Sequence, residues 1–290
     1  MKTIILFIFL VSASFAQSPL LTLFDGGYKN TETTLYTAGQ TITPTQALRI
    51  DNFISMVKDS FSISLLSEIA DVIYLSANET SALGLRNLVS RSYDGTIGAE
   101  TVTFTQWQGF LGDAVGGYIN TNYVPSTNGS AFKLDDASFG VYVRNIRVAS
   151  SSKYAIGCAK GDGSGYSIIA LERSAGLSRQ YINSTGLSGG VVANTSGFSL
   201  LSRTASNATN FYKNGIGVIP DTDLSSVLPD VSFVVLAANT GGSIGSYDDV
   251  QVAFVFIGKG FDATGARKLN NCIEWYMDQL GTGVLPWNIL

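Results

Sequence analysis

The chain has 290 residues, of which 45% are hydrophobic and only 14% charged, with 31 glycines, 13 tyrosines and no histidine. So apolar a composition excludes a disordered chain, and 18 basic against 22 acidic residues without a basic cluster argue against a nucleic-acid-binding surface. The missing histidine removes His-based triads, the usual His-bearing zinc sites and the commonest general base near neutral pH.

Lys2, the apolar run from Ile4 to Val11 and Ser14-Phe15-Ala16 have the form of a secretory signal peptide over residues 1–16. The run is well short of the roughly 20 residues that span a bilayer. The alternatives are a buried N-terminal helix or strand, or a sticky anchor inside an assembly. Residues 17–44, rich in Thr and Gly, read as a linker or short β-arm that Pro44 closes. Residues 45–78 read as a helical segment. Ile50, Phe53, Ile54, Val57 and Phe61 form one apolar stripe behind Thr45 as N-cap, and Leu65, Leu66, Ile69, Ala70 and Ile73 continue the period. This predicts a two-helix hairpin or broken helix ending near Tyr74, packed on the next domain or serving as an oligomerisation or docking element.

From residue 79 to 290 the pattern changes to short alternating segments punctuated by glycine. Strands are predicted at Thr101 to Thr105, Gly117 to Val124, Ser138 to Arg144, Lys153 to Ala159, Tyr166 to Leu171, Gly197 to Arg203, Val231 to Ala237 and Val250 to Ile257. Asn214-Gly215 between apolar segments is a strong hairpin signal, because both positions tolerate positive φ. A helix is predicted from Asp262 to about Leu280, stopped by Gly281. Cys158 and Cys272 read as two buried free thiols, a single long-range disulfide being the other possibility. The fold class is mainly β, a sandwich preceded by a short helical segment and closed by one helix.

Four of these elements, in order, carry a resemblance. They are Gly117-Tyr118-Ile119-Asn120 with the strand Phe139 to Arg144, then Leu201 to Ala205 leading into the Phe211 to Gly215 hairpin, then Val252 to Gly258, and finally the terminal helix reached through Gly260-Phe261-Asp262. Together they resemble a concanavalin A-like, laminin-G-type jelly roll of the kind found in phage tail and virion-appendage proteins. The resemblance covers about Thr45 to Leu280 and its motifs are structural.

This fold also houses glycosidases, which need two carboxylates about 5–5.5 Å apart, or a wider pair for inversion. On a jelly roll these alternate along one strand, and no Glu-x-Glu occurs here; Glu32, Glu68, Glu79, Glu100, Glu172 and Glu274 are isolated. Gly161 to Gly165 lacks the lysine and spacing of a phosphate loop and reads as a hairpin turn. The resemblance implies one possible Ca²⁺ at the sandwich rim, with Asp162, Asp221, Asp223, Asp248 and Asp249 as candidate ligands and solvated Asx turns as the alternative. No cofactor is required.

Sugar binding uses exposed aromatic rings that stack on pyranose faces; Trp107, Tyr118, Tyr123 and Tyr247 are the candidates, whereas Trp275 and Trp287 read as packing residues. The expected function is therefore a non-enzymatic extracellular or virion surface protein whose sandwich serves assembly, receptor (glycan) binding, or both. Its expected partners are a glycan or cell-surface receptor and further copies or other surface proteins, with no nucleic acid. A secreted bacterial carbohydrate-binding or adhesion protein is the alternative, and a glycoside hydrolase a third.

Overall fold

The computed structural model describes residues 28–98, 101–145, 153–174, 177–186, 188–192 and 194–285. The expected signal segment 1–16, the first part of the expected linker and Trp287 lie outside the described residues.

Two sheets face one another. The first has the order Ile216–Asp221, Ala208–Lys213, Gly197–Ala205, Ala137–Val143, Gln251–Gly258, Gly109–Leu111, Thr103–Thr105, with Ala70–Tyr74 also paired to Gln251–Gly258. The second runs Ser188–Val191, Leu177–Ser184, Tyr166–Ser174, Ile156–Ala159, Val234–Val235, Ile119–Asn120, Thr96–Ile97, and the short strands Ala238–Thr240 and Ser243–Gly245 join it beside Ile156–Ala159. Phe139, Val141, Val143, Leu201, Val255 and Ile257 of the first sheet pack against Ile119, Ile156, Ile169, Ile182 and Val235 of the second, which makes the inner core of a jelly-roll β-sandwich.

Five helices are described: α1 (Thr31–Thr37), α2 (Pro44–Phe61), α3 (Ser81–Gly84), α4 (Pro125–Asn128) and α5 (Ala263–Gln279). Pro44 occupies the first turn of α2, where its missing N–H costs nothing, and Thr43 rather than Thr45 is the N-cap. Asp262 caps α5 by accepting the Gly265 N–H at 2.8 Å, and Gly281 leaves the helix at φ 70°. The apolar stripe of α2 and the buried face of α5 pack together on the outer face of the first sheet. Phe53 of α2 meets Phe254 at 6.0 Å and Tyr276 of α5 at 5.6 Å. The stripe is thus spent on the chain's own sandwich. No helix among the described residues is long and apolar enough to cross a membrane.

Two sequence expectations are corrected. The second helix expected over Leu65 to Tyr74 is a single 3-10 turn, Leu66–Glu68, followed by the strand Ala70–Tyr74. All five residues of that strand are buried, so both faces are occupied and the helical spacing of its apolar side chains carries no information about period. The described end of the expected linker, residues 28–44, contains α1 instead. Asp51 of α2 fixes it by accepting the Asn30 N–H at 3.0 Å and the Thr33 hydroxyl at 2.7 Å.

The hairpin expected at Asn214-Gly215 is present, with φ of 52° and 75° at the two positions, and joins Ala208–Lys213 to Ile216–Asp221. Cys158 lies in the inter-sheet core and Cys272 in the helix-facing core; both are buried and free.

Asp71 is a polar anchor at the edge of this core. Its carboxylate accepts the N–H groups of Ser130, Ala131 and Phe132 and the Tyr123 hydroxyl at 2.7 Å. Tyr123→Phe is expected to lower unfolding free energy by about 1.5–3 kcal/mol in urea titrations, and Asp71→Ala by more, because it orphans several buried donors at once. On the other side, buried Lys213 donates to the Thr195 carbonyl at 3.0 Å and the Ser199 hydroxyl at 3.1 Å, and burial pushes its ammonium from 10.5 down to about 7. The unfolded chain therefore binds more protons at this residue between those two values, so its contribution makes stability rise with pH across that window. Lys213→Met is expected to flatten that rise in urea midpoints measured from pH 7 to 10.

Candidate functional site

The outer face of the first sheet lies under α2 and α5, whereas the outer face of the second carries a small apolar cluster over which no helix among the described residues lies. Ala159, Ile168 and Ala238 form its buried floor, and Tyr154, Tyr166 and Tyr181 stand half-buried against them. Strand alternation explains the arrangement. Ile169 and Ile182 enter the inter-sheet core, so Tyr166, Ile168, Arg179 and Tyr181 point outward. Ile168 is the direct cross-strand partner of Tyr181, and the Tyr166 and Tyr181 rings lie 5.2 Å apart at 38°.

A cleft of about 420 Å³ adjoins the turn between Ile156–Ala159 and Tyr166–Ser174, lined by Lys160, Gly161, Asp162, Asp230, Val231 and Gly241. Asp162 is hydrogen-bonded by the Ser164 hydroxyl and N–H and pairs with Lys160 at 3.2 Å. The Ser164 hydroxyl, with those other contacts, holds the Asp162 carboxyl down at about 2.

A second pair of rings lies on the same sheet. Ile119 faces the inter-sheet core, so the preceding Tyr118 faces outward. Its ring lies 6.4 Å from that of Tyr247 at 35°. Exposed Gly98 makes room for this ring, since any side chain there would occupy its place. The loop before Tyr118 is ordered by Asp113, which accepts the Thr101 hydroxyl and the N–H groups of Val115, Gly116 and Gly117. These bonds, the hydroxyl's first, hold its carboxyl well below the usual range. The Tyr247 hydroxyl donates to the Ile244 carbonyl at 3.0 Å, and the neighbouring Ser246 carbonyl accepts the Tyr154 N–H at 3.0 Å. That bond ties the Tyr118–Tyr247 pair to the tyrosine cluster through the backbone.

Of the four aromatic residues singled out in the sequence, Tyr118 and Tyr247 thus come together. Tyr123 does not join them and is a correction. Asn122 turns the chain at φ 58°, ending the expected strand early, and Tyr123 is buried with its hydroxyl on Asp71 and its ring edge-on to Tyr93. Burial, followed by the Asp71 charge, pushes the Tyr123 hydroxyl well above its ordinary pKa. Trp107 stands in the turn between Thr103–Thr105 and Gly109–Leu111, on the helical side, with Arg49 of α2 5.9 Å from its ring centre. Sequence reading missed Tyr154, Tyr166 and Tyr181 as site residues. The strand Leu177–Ser184 is rich in Ser, Gln and Asn and gives a weak apolar alternation, and the pairing of Tyr181 with Tyr166 is the available signal only once the strands are aligned.

The carboxylates do not fit a calcium ion. Asp221 Oδ1 accepts the N–H groups of Thr222 and Asp223, and the Asp223 main-chain oxygen accepts from the Arg203 guanidinium at 3.0 Å. Burial, and then the nearby Asp221 charge, raise the pKa of Asp223. A cation there would meet the Arg203 guanidinium. Asp248 is buried and accepts the Asp249 N–H, and Asp249 pairs with Lys153 at 2.9 Å. Among the described residues no three His, Cys, Asp or Glu side chains gather as a metal-binding group.

No family model and no curated protein sequence matches the chain. Among solved structures it is similar to the botulinum neurotoxin serotype D binding domain, with a TM-score of 0.51 and 13% identity over 70% of this chain and 52% of that one. It is similar to an HCR/D variant at a TM-score of 0.50 and 14% identity, again over 70% of this chain and 52% of the other. The likeness is one of fold. The chain spans about half the length of these two structures. Domain 4 of AbnA, a GH43 extracellular arabinanase from Geobacillus stearothermophilus, aligns over 69% of this chain and all of that domain, at a TM-score of 0.47 and 13% identity.

The misfit of the aspartates to a cation predicts that millimolar calcium chloride, compared with EDTA, leaves the melting temperature unchanged in scanning calorimetry.

Proposed function

We propose that this chain is a glycan-binding module without catalytic activity, and that the tyrosine-bearing outer face of the second sheet is its saccharide surface. The observation that carries this reading is the pair of half-buried rings, Tyr166 and Tyr181, seated with Tyr154 on a small-residue floor next to the cleft at Lys160 and Asp162. Half-buried rings are held in place yet keep area for stacking, while neighbouring Arg179, Lys160, Asp162 and Asp230 supply donors and acceptors for hydroxyls. A likeness of fold to a toxin's binding domain is in keeping with a binding role.

Binding is preferred to catalysis because four of the glutamates are occupied in holding the fold. Glu32 pairs with Lys58 at 2.8 Å, Glu68 accepts the N–H groups of Ser64 and Leu65, Glu79 accepts that of Thr43, and Glu274 accepts the Tyr142 hydroxyl. The setting we propose is extracellular, on a virion or a cell surface, in line with the leader-like residues 1–16 and the weakly charged composition.

Assembly is the second reading, and one edge of the sandwich favours it. Val191 on the edge strand of one sheet is 70% exposed, Ile216 on the edge strand of the other 59%, and Leu224 just beyond it 69%. Light scattering of the purified chain tests this reading: a stable oligomer supports it and a uniform monomer removes it.

A glycan array followed by isothermal titration with the best-bound glycan tests the primary reading. Tyr166→Ala and Tyr181→Ala are each expected to weaken binding roughly three- to tenfold, the worth of one stacked ring. Trp107→Ala, on the helical side, is expected to leave it unchanged. Unchanged affinity in both tyrosine variants contradicts the proposal.

A further inference from the structure

Between the edges of the two sheets lies a small cleft whose wall includes Gln180, Tyr181, Arg203, Thr209, Asp221 and Asp223. Gln180 is 0% exposed, yet neither atom of its amide has a hydrogen-bond partner. Arg203 is also 0% exposed. Its Nε donates to the Ile182 carbonyl and its Nη1 to the carbonyls of Ala205, Ser206 and Asp223, while Nη2 has no partner. Buried polar groups are normally satisfied, and leaving one bare is costly. Two such side chains bordering one cleft mark a place where a polar group belongs.

The chemistry of the walls narrows what that group is. An anion would meet Asp221 and Asp223, and a cation would meet the Arg203 guanidinium. A hydroxyl oxygen suits both, because it accepts from Arg203 Nη2 or Gln180 Nε2 and donates to Gln180 Oε1 or a carboxylate. The whole cleft offers about 10 Å³, room for the centre of one water-sized group. We propose that this inter-sheet cleft, which Tyr181 borders but Tyr166 and Tyr154 do not, is a binding site that takes one hydroxyl of a neutral polyhydroxylated ligand of the saccharide class. The choice of a saccharide rests on the glycan-binding reading; the site itself rests on the unpartnered buried groups. A resident water has the same hydroxyl chemistry, and the experiment separates the two.

The full chain is titrated with D-glucose, D-galactose, D-mannose and L-fucose, followed by saturation-transfer NMR, and the melting temperature of each variant is measured without sugar. Gln180→Met removes the amide at similar volume. The proposal expects its melting temperature to be unchanged or raised, since an unpartnered buried amide is gone, and affinity for the bound sugar to fall about tenfold or more. A lowered melting temperature with unchanged affinity shows a resident water alone and overturns the proposal. If both fall, Thr209→Val decides: an affinity loss of about tenfold supports the site and retained affinity overturns it. Tyr166→Ala keeps the two readings apart. Loss of binding in that variant with full binding in Gln180→Met overturns the cleft and leaves the tyrosine face standing. Loss in Gln180→Met alone does the reverse, and a wild-type chain that binds none of the four sugars overturns the cleft proposal.

Discussion

The strand Gln251–Gly258 and its neighbour Ala137–Val143 are apolar on both faces, and both faces have to be covered. In the former, Val252, Val255 and Ile257 point into the sandwich, while Ala253, Phe254 and Phe256 point the other way; a register shift between Val252 and Phe254 makes this assignment possible. The inward set requires the second sheet. The outward set, with Tyr142 and Phe198, requires α2 and α5, which meet it with Phe53 and Tyr276. Burying one large apolar side chain is worth about 1.5–3 kcal/mol. Six such rings therefore rival the whole net stability of a domain, about 5–15 kcal/mol. The helices are consequently part of the fold and not an arm that swings out to bind something.

This constraint has a functional consequence. With one outer face of the sandwich occupied by helices, the proposed glycan recognition falls to the other face and to the rims. Tyr166 and Tyr181 are placed there by strand alternation, and Tyr154 by its N–H bond to the Ser246 carbonyl, on a floor of alanine and isoleucine that lets the rings lie low. Tyr118 and Tyr247 extend the same chemistry toward the rim. The charges beside the rings include the Lys160–Asp162 pair, so the face offers both donors and acceptors to a neutral, hydroxyl-rich ligand.

Much of the architecture was legible in the sequence where local chemistry is strong. Asn214-Gly215 dictated a hairpin, Asp262 and Gly281 bounded α5, and glycine-punctuated apolar alternation located the central strands. Legibility failed where burial is two-sided. Ala70–Tyr74 carries apolar residues in every direction, so period cannot distinguish strand from helix. For the site, Tyr118 and Tyr247 were singled out by their loop context and proved to be neighbours. Tyr123 looked equivalent, yet its fate depended on Asp71, some fifty residues earlier in the chain, and no local pattern carries that information. Tyr181 was hidden because Leu177–Ser184 is too polar to read as a strand, although its inward residues include Ile182 of the core. The empty hydrogen-bonding capacity of Gln180 and Arg203 exists only once the two sheet edges are brought together.

The central claim is that the exposed tyrosine face of the second sheet contacts saccharide. It is tested most directly by NMR on a chain with carbon-13-labelled tyrosine rings, titrated with the best-bound array glycan. The account predicts ring-resonance shifts at Tyr166, Tyr181 and Tyr154, with Tyr36, Tyr142 and Tyr276 under the helices unmoved. Shifts confined to the helical side, or saturating binding that moves none of the three outward rings, would contradict it.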